Sequence, residues 1–400
     1  MLALVISLLG IELLLTSTAV AFRNEDSLIR LGFLPLMGIA TYKIMIICAN
    51  GQLESHIAHA VLGSGSVYRI IHYVAIVLLD RWSFEAKGPT SSLGGLEPGS
   101  DMAREEFSWS LKDLEERIRF GIRVSTTTRF STTKWSIKYV PQFDDNKPGL
   151  VPARSEFLWR TFIRVGSLGC CLGLLGTFAQ NFWKHNASMF SQEYVPVYSR
   201  LQEVTLAELS IRIAGVLSYW VMQYLSLSLM YGFLSFLAVL VHLSDVEEWP
   251  PVFGPMNETW SIARFWGRFY HQNIRRGCSS IAHFLTYSCL RLTTGGFFGR
   301  YVFVSLVFAI SGIFHLLSDM ARGISREESK AITFFLMQPL GMLFEQAVQI
   351  LYNWLAFSGP VSVRAKDSPT RLGRVIGHGW VLFWVVWTSP VWIYTSLQQQ

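Results

Sequence analysis

Apolar residues in this chain come in blocks rather than in alternation with polar ones. Runs of about 18 residues or more with few charges lie near 1 to 22, 31 to 50, 57 to 79, 165 to 183, within 213 to 244, and at 301 to 318, 331 to 357 and 375 to 396. Each is long enough, as a helix, to cross a hydrocarbon layer of about 30 Å. A further apolar stretch, 281 to 292, fits either a span or a surface segment. The pattern predicts an all-α fold, a polytopic transmembrane helical bundle of about 8 to 9 spans with a cytosolic loop insertion.

The polar stretches divide the chain into N-terminal transmembrane helices (1 to 80), a hydrophilic insertion (81 to 156) and a membrane core (157 to 400). The insertion opens with the low-complexity "GPTSSLGGLEPGSD" and continues through the helical "DLEERIRFGIR". It then turns basic, with Arg117, Arg119, Arg123, Arg129, Lys134 and Lys138 and no acid among them. Short loops rich in Lys and Arg stay on the cytoplasmic side, which places this loop in the cytosol together with a second basic loop carrying Arg364, Lys366, Arg371 and Arg374. From Thr259 to Ser318 there are six arginines and no Asp or Glu, so the 264 to 276 segment is expected on the same side. Parity then requires that 213 to 244 cross once, as a long tilted or broken span. The first run carries Glu12 and lacks a basic n-region, so it reads as a retained span and not a signal peptide.

Composition agrees with the pattern: 51% of residues are hydrophobic and 16% charged, against roughly 25% charged for a soluble domain. The net charge of +6 acts through its distribution over loops and gives no reason to expect a nucleic-acid partner. Cys48, Cys170, Cys171, Cys278 and Cys289 have neither metal-ligand spacing nor the arrangement of a disulfide framework, and read as small apolar fillers.

Two segments carry polar chemistry that spanning a membrane does not require. In "FWGRFYHQNIRR", residues 265 to 276, a helical reading puts Arg264, Arg268, His271 and Arg275 on one face, with Phe265, Trp266, Phe269 and Tyr270 around the rest. That is the pattern of an interfacial helix. A simple anchor to anionic lipid and a docking surface for a polyphosphate handle both fit it, since arginine forks match phosphate geometry.

The second segment is the apolar run 301 to 318, which is free of Asp, Glu, Lys and Arg yet contains His315. Ser311, His315 and Asp319 follow one another at i,i+4 and form a polar stripe. A titratable group at membrane depth is a site hypothesis, and an imidazole suits removal of a hydroxyl proton, with Asp319 placed to orient it. A neutral histidine hydrogen-bonded to a neighbouring helix fits the same spacing. Glu345 is a second ionisable group in an apolar run, lining a cavity or paired with Arg300, Arg69 or Lys43.

"EWPPVFG", "FWGRFYHQ", "SGIFH" and "FFLMQPLGMLFE", between residues 245 and 357, resemble the wax-synthase-like branch of the membrane-bound O-acyltransferase superfamily, in particular its fungal members that acetylate terpenoid or meroterpenoid alcohols. "TTRFSTTKWSIKYVP" is a weaker echo. Plant relatives end the FWGR motif in Trp-Asn where this chain has Tyr270-His271, so the role of that amide passes to His271 or Asn273.

The resemblance implies acyl transfer from coenzyme A to a hydroxyl, with His315 as catalytic base. It also implies a CoA entrance at Arg264, Trp266, Arg268 and Arg275 and a lipophilic alcohol arriving from the bilayer of the endoplasmic reticulum. Acetyl-CoA is then a co-substrate, and no permanently bound cofactor is expected. A long-chain wax or sterol ester synthase is the alternative within the same chemistry. A lipophilic-metabolite transporter is the alternative outside it, and would favour repeated halves that this chain does not display.

Overall fold

Lipid offers a backbone amide no hydrogen-bond partner, so an apolar block must satisfy its own amides within a helix. The computed structural model describes residues 1–99, 110–357 and 370–398 and is built in this way. The helices α1 (Leu2–Phe22), α2 (Leu28–Ala49) and α3 (His56–Tyr73) come first, and α3 runs on as a π-helical turn over Val74–Leu79. A short antiparallel ribbon of β1 (Trp82–Ser83) and β2 (Gly88–Pro89) and the amphipathic α4 (Leu111–Thr126) follow. Next are α5 (Arg154–His185), α6 (Leu206–Leu240) and the short α7 (Ile262–Arg264), which passes into a π turn at Phe265–Phe269. After α8 (Arg275–His283) and its own π turn Phe284–Cys289 come α9 (Phe297–Ala321), α10 (Ala331–Phe357), α11 (Arg371–Thr388) and α12 (Pro390–Gln398).

Among the described residues, seven helices are long and apolar enough to cross a membrane: α1, α2, α3 with its extension, α5, α6, α9 and α10. The pair α11 and α12, bent by 52°, makes an eighth if it is one broken span. Pro390 opens α12 at the position where a missing N–H costs nothing, and the chain turns there. Residues 213 to 240 of the uncertain run lie within one helix of 35 residues, Leu206–Leu240, the single long span expected there, and 241 to 244 follow its end. The stretch 281 to 292 is not among the spans; it is taken up by the end of α8 and its π turn, so the upper expected count of nine is not reached. Ser100 and Asp101 of the low-complexity stretch, and Arg364 and Lys366 of the second basic loop, lie outside the described residues.

The chain packs as two units. The first comprises Met1–Arg129 and Asn273–Leu336. Within it, Glu12 of α1 is fully buried and accepts hydrogen bonds from Thr41 of α2 at 2.7 Å and Ser66 of α3 at 2.5 Å, with Arg69 at 3.9 Å. One carboxylate thus ties three spans together. Gly63 lets α3 touch α9, because a Cβ there would lie 2.4 Å from that of Ala321. The second unit comprises Phe130–Gln272 and Met337–Gln400. Here α5 and α6 pair antiparallel, from Arg154 on the Val239 and Leu240 carbonyls to Gly176 beside Met222. Arg212 of α6 is buried and donates to the carbonyl of Trp387 at 2.9 Å, supplying the end of α11 with a cation.

Candidate active site

His315 stands towards the carboxyl end of α9, half-buried, in the first unit. Its ring lies flat on Phe335 of α10, with centroids 4.5 Å apart and planes 8° from parallel, and edge-on to Phe314 at 5.0 Å. Gly312, one turn earlier, makes this possible: a Cβ there would sit 2.9 Å from the Ile332 backbone and 3.3 Å from the Phe335 side chain. An imidazole stacked on one aromatic ring and edge-on to another keeps its ring direction.

Asp319, one turn on, is 1% exposed. Its Oδ2 accepts from Ser329 Oγ at 2.6 Å and its Oδ1 from Arg322. The carboxylate therefore closes the turn between α9 and α10, anchoring the two helices that hold the His315 ring.

The second unit contains Arg264, Trp266, Arg268 and His271. Arg264, Arg268 and His271 do not lie on one continuous helix, as their spacing with Arg275 suggested. The chain forms one turn of α7, widens into the π turn and becomes extended at Tyr270 (φ −68°, ψ 151°), and helix resumes only at Arg275. The cause is a close approach by the "PPVFG" loop. The Gly254 N–H donates to the Phe269 carbonyl at 2.9 Å, and a Cβ on Gly254 would lie 2.1 Å from the Arg268 oxygen. Loop and π turn thus interlock through backbone.

Two of the arginines also have an acid. Glu258 lies just outside the acid-free window and binds Arg264 as well as Arg268, the latter at 3.0 Å. Arg264 further stacks over Trp260 at 4.2 Å and Arg268 over Tyr139 at 4.3 Å. Burial and the neighbouring Arg268 lower the proton affinity of the Arg264 guanidinium. His271 and Trp266 are brought together around Tyr270, with ring centroids 4.7 and 5.2 Å from it. Burial raises the pKa of the Tyr270 phenol, which stays neutral. The echo segment joins the same unit: Gln272, 1% exposed, donates to the Tyr139 carbonyl at 3.1 Å.

Asn273 and Arg275 fall in the first unit. The Asn273 Oδ1 is buried and accepts no hydrogen bond among the described residues. Arg275 begins α8, and the next residue, Arg276, forms a buried ion pair with Asp80 at 3.2 Å. Burial pushes the Asp80 carboxyl up to about 6, although Arg276 pulls the other way.

Sequence reading missed one polar anchor of the second unit and named different partners for another. The Gln338 Oε1, buried in α10, accepts from the indole N–H of Trp266 and of Trp384, each at 3.1 Å. Glu345, one and two turns further along α10, accepts from the Trp380 indole at 2.9 Å and from the Ile262 amide at 2.8 Å. Its partners are thus a tryptophan and the amino end of α7, and not Arg300, Arg69 or Lys43; Arg69 faces Glu12. The signal available in sequence was a lone amide in "FFLMQPLGMLFE".

The tryptophan-proline, FWGR and SGIFH motifs, and the first four residues of "FFLMQPLGMLFE", fall within the segment that comparison matches. Residues 249–337 match the family described as "Membrane bound O-acyl transferase family". The chain is 36% identical to acetyltransferase fsoF of Humicola fuscoatra, over 98% of this chain and 96% of that protein. It is 32% identical to acetyltransferase aurG of Calcarisporium arbuscula, over 95% of this chain and 89% of that one. Acetyltransferase spyB of Aspergillus fumigatus is 28% identical over 70% of this chain and 48% of its own length. No solved structure matches the chain. With a likeness that runs nearly end to end and a matched segment holding the tryptophan-proline loop, the π turn and His315, the chain belongs to the membrane bound O-acyl transferase family.

Proposed function

We propose that this membrane-bound acyltransferase moves an acetyl group from acetyl-CoA to a hydroxyl of a lipophilic terpenoid or meroterpenoid, in the endoplasmic reticulum, with His315 as general base. The observation that carries the base is the His315 ring itself, a titratable group set by Phe335 and Phe314 in the run 301 to 318, which has no Asp, Glu, Lys or Arg. Support for the acetyl donor is the shared designation of the relatives as acetyltransferases.

In the step, the imidazole takes the hydroxyl proton as the alcohol oxygen bonds to the acetyl carbon. The tetrahedral oxyanion collapses, the carbon–sulfur bond breaks, and the imidazolium returns the proton to the CoA thiolate. A thiol with a pKa of about 8.5 leaves readily, so one base suffices. The acyl group passes directly within a ternary complex. Arg264, Arg268 and Arg275 are assigned to CoA phosphates, Trp266 to the wall of the thioester path, and His271 or Asn273 to polar contact with the donor. Asp319 acts through the α9 to α10 turn and positions the base. The orphan oxygen of Asn273 suits an amide awaiting a ligand.

The test is incubation of microsomes holding wild-type or His315→Ala protein with labelled acetyl-CoA and a terpenoid alcohol. Labelled ester is expected from the wild type alone. Equal ester from both proteins would remove the base assignment, and ester from palmitoyl-CoA but not acetyl-CoA would replace the acetyl donor with a long acyl chain.

A further inference from the structure

Within the second unit, α5 and α6 do not close along their whole length. Between them, capped by the 143 to 153 loop and the tryptophan-proline loop, lies a cavity of about 530 Å³, within the usual size for a small-molecule site. Phe157, Trp249 and Val252 give it an apolar wall. Of its hydroxyls, Tyr231 is spent on the Pro250 carbonyl and Ser235 on that of Gly232, whereas Ser228, 2% exposed, has no hydrogen-bond partner among the described residues. A buried hydroxyl without a partner, lining a cavity, is an unmet hydrogen bond waiting for an occupant.

The rim is charged. Lys147, Arg160 and Arg164, together with Asp144 and Glu156, line it. Arg160 is held by Glu156 at 2.5 Å, while Arg164 has no ion-pair or hydrogen-bond partner among the described residues. Gly232 packs beside Val165, the neighbour of Arg164, and Ser228 lies one turn of α6 deeper, roughly 6 Å along the axis. That offset is about the distance from a lipid phosphate to its acyl ester. The outer faces of both helices, with Phe162 and Ile163 on α5 and Phe233 and Leu237 on α6, are exposed, so an occupant can enter sideways from the bilayer.

We propose that this cavity seats one acidic phospholipid of the surrounding leaflet. The phosphate rests on Arg164, Arg160 and Lys147, an acyl chain lies along the α5–α6 cleft, and the Ser228 hydroxyl donates to an ester carbonyl. Charge decides for this occupant over CoA: two carboxylates on the rim tolerate a singly or doubly charged head and oppose a multiply charged one.

The full-length chain, purified in mild detergent, is titrated with phosphatidic acid and with phosphatidylcholine of equal chain length, and bound lipid is counted by native mass spectrometry. Retention of one phosphatidic acid and weaker retention of phosphatidylcholine is expected. An Arg160→Gln/Arg164→Gln double variant should lose affinity for phosphatidic acid roughly tenfold or more, since one basic side chain near an anionic surface is worth about fivefold. Both arginines are exposed, so the variant folds. Ser228→Leu should weaken both lipids by filling the tail cleft. Equal retention of the two lipids, undiminished binding by the double variant, or displacement of phosphatidic acid by acetyl-CoA would overturn the proposal, the last by assigning the cavity to the donor.

Discussion

His315 and the arginine-rich segment around Trp266 are both polar chemistry set into apolar chain, yet their side chains are aimed by different means. His315 stands on an unbroken helix of 25 residues, where the backbone alone decides which way each side chain points. Its orientation needs only Gly312 and Phe335 to be completed. Between Ile262 and Arg275 the chain passes from helix to π turn, is extended at Tyr270, and returns to helix. There the partners decide: Gly254 on the Phe269 carbonyl, Glu258 on two arginines, Gln338 and Glu345 on the flanking tryptophan and amide. A helix in lipid is governed by its own hydrogen bonds, whereas a loop at the membrane surface is governed by residues distant in sequence.

The comparison can be broken most sharply at His315, the base we propose. His315→Ala should lower turnover about 10²- to 10⁴-fold, with KM for acetyl-CoA and the amount of folded protein in membranes unchanged, since only proton transfer is lost. A rise in KM at constant kcat would move His315 out of the chemical step.

Next in size is the ion pair beyond the segment. Asp80→Ala leaves Arg276 buried without its carboxylate, which should cost about 3–5 kcal/mol, read as a fall in the thermal midpoint of the detergent-solubilised protein. Asp80→Asn tests the sign of its titration. A carboxyl raised from 3.8 to about 6 by burial contributes stability that is complete below the lower value and is lost as pH rises through the upper one. The wild-type midpoint should therefore drop between about pH 4 and 6 by an amount that the Asn variant does not show. A parallel profile in both proteins would locate the titration elsewhere.

Gln338→Leu should be milder. It removes the acceptor shared by two indole N–H groups, at about 1–3 kcal/mol in all, and should lower the midpoint while leaving the acidic pH profile of Asp80 in place.

Glu258→Gln has the smallest expected effect. Releasing Arg264 and Arg268 from their carboxylate should lower KM for acetyl-CoA by up to about fivefold at low salt, and the gain should vanish at high ionic strength. An unchanged KM at every salt concentration would mean that these arginines serve the fold and not the donor.

The spans were legible because hydrophobic length and hydrogen-bond closure both act within a short window of sequence. The single long α6 and the polar stripe on α9 could be read for that reason. The interfacial segment could not be read as folded. A periodicity of four, three and four describes a helix only if the backbone remains one, and the loop that breaks it begins before Arg264. The acid-free window from Thr259 was real, but Glu258 lies just before it, and Asp80 reaches Arg276 from 196 residues away. Glu345 was visible as a charge in an apolar run, but its partner is an amide N–H, a group every sequence position carries and none advertises.

Gly312 is the feature with the widest consequence. Because bare backbone at that spot sets how closely α10 can lean on α9, a single methyl there would wedge Phe335 away and let the imidazole swivel. On the proposed assignment of His315 as base, the rate would then be tuned from a position that bears no functional side chain, through a change in fit and not in reactivity.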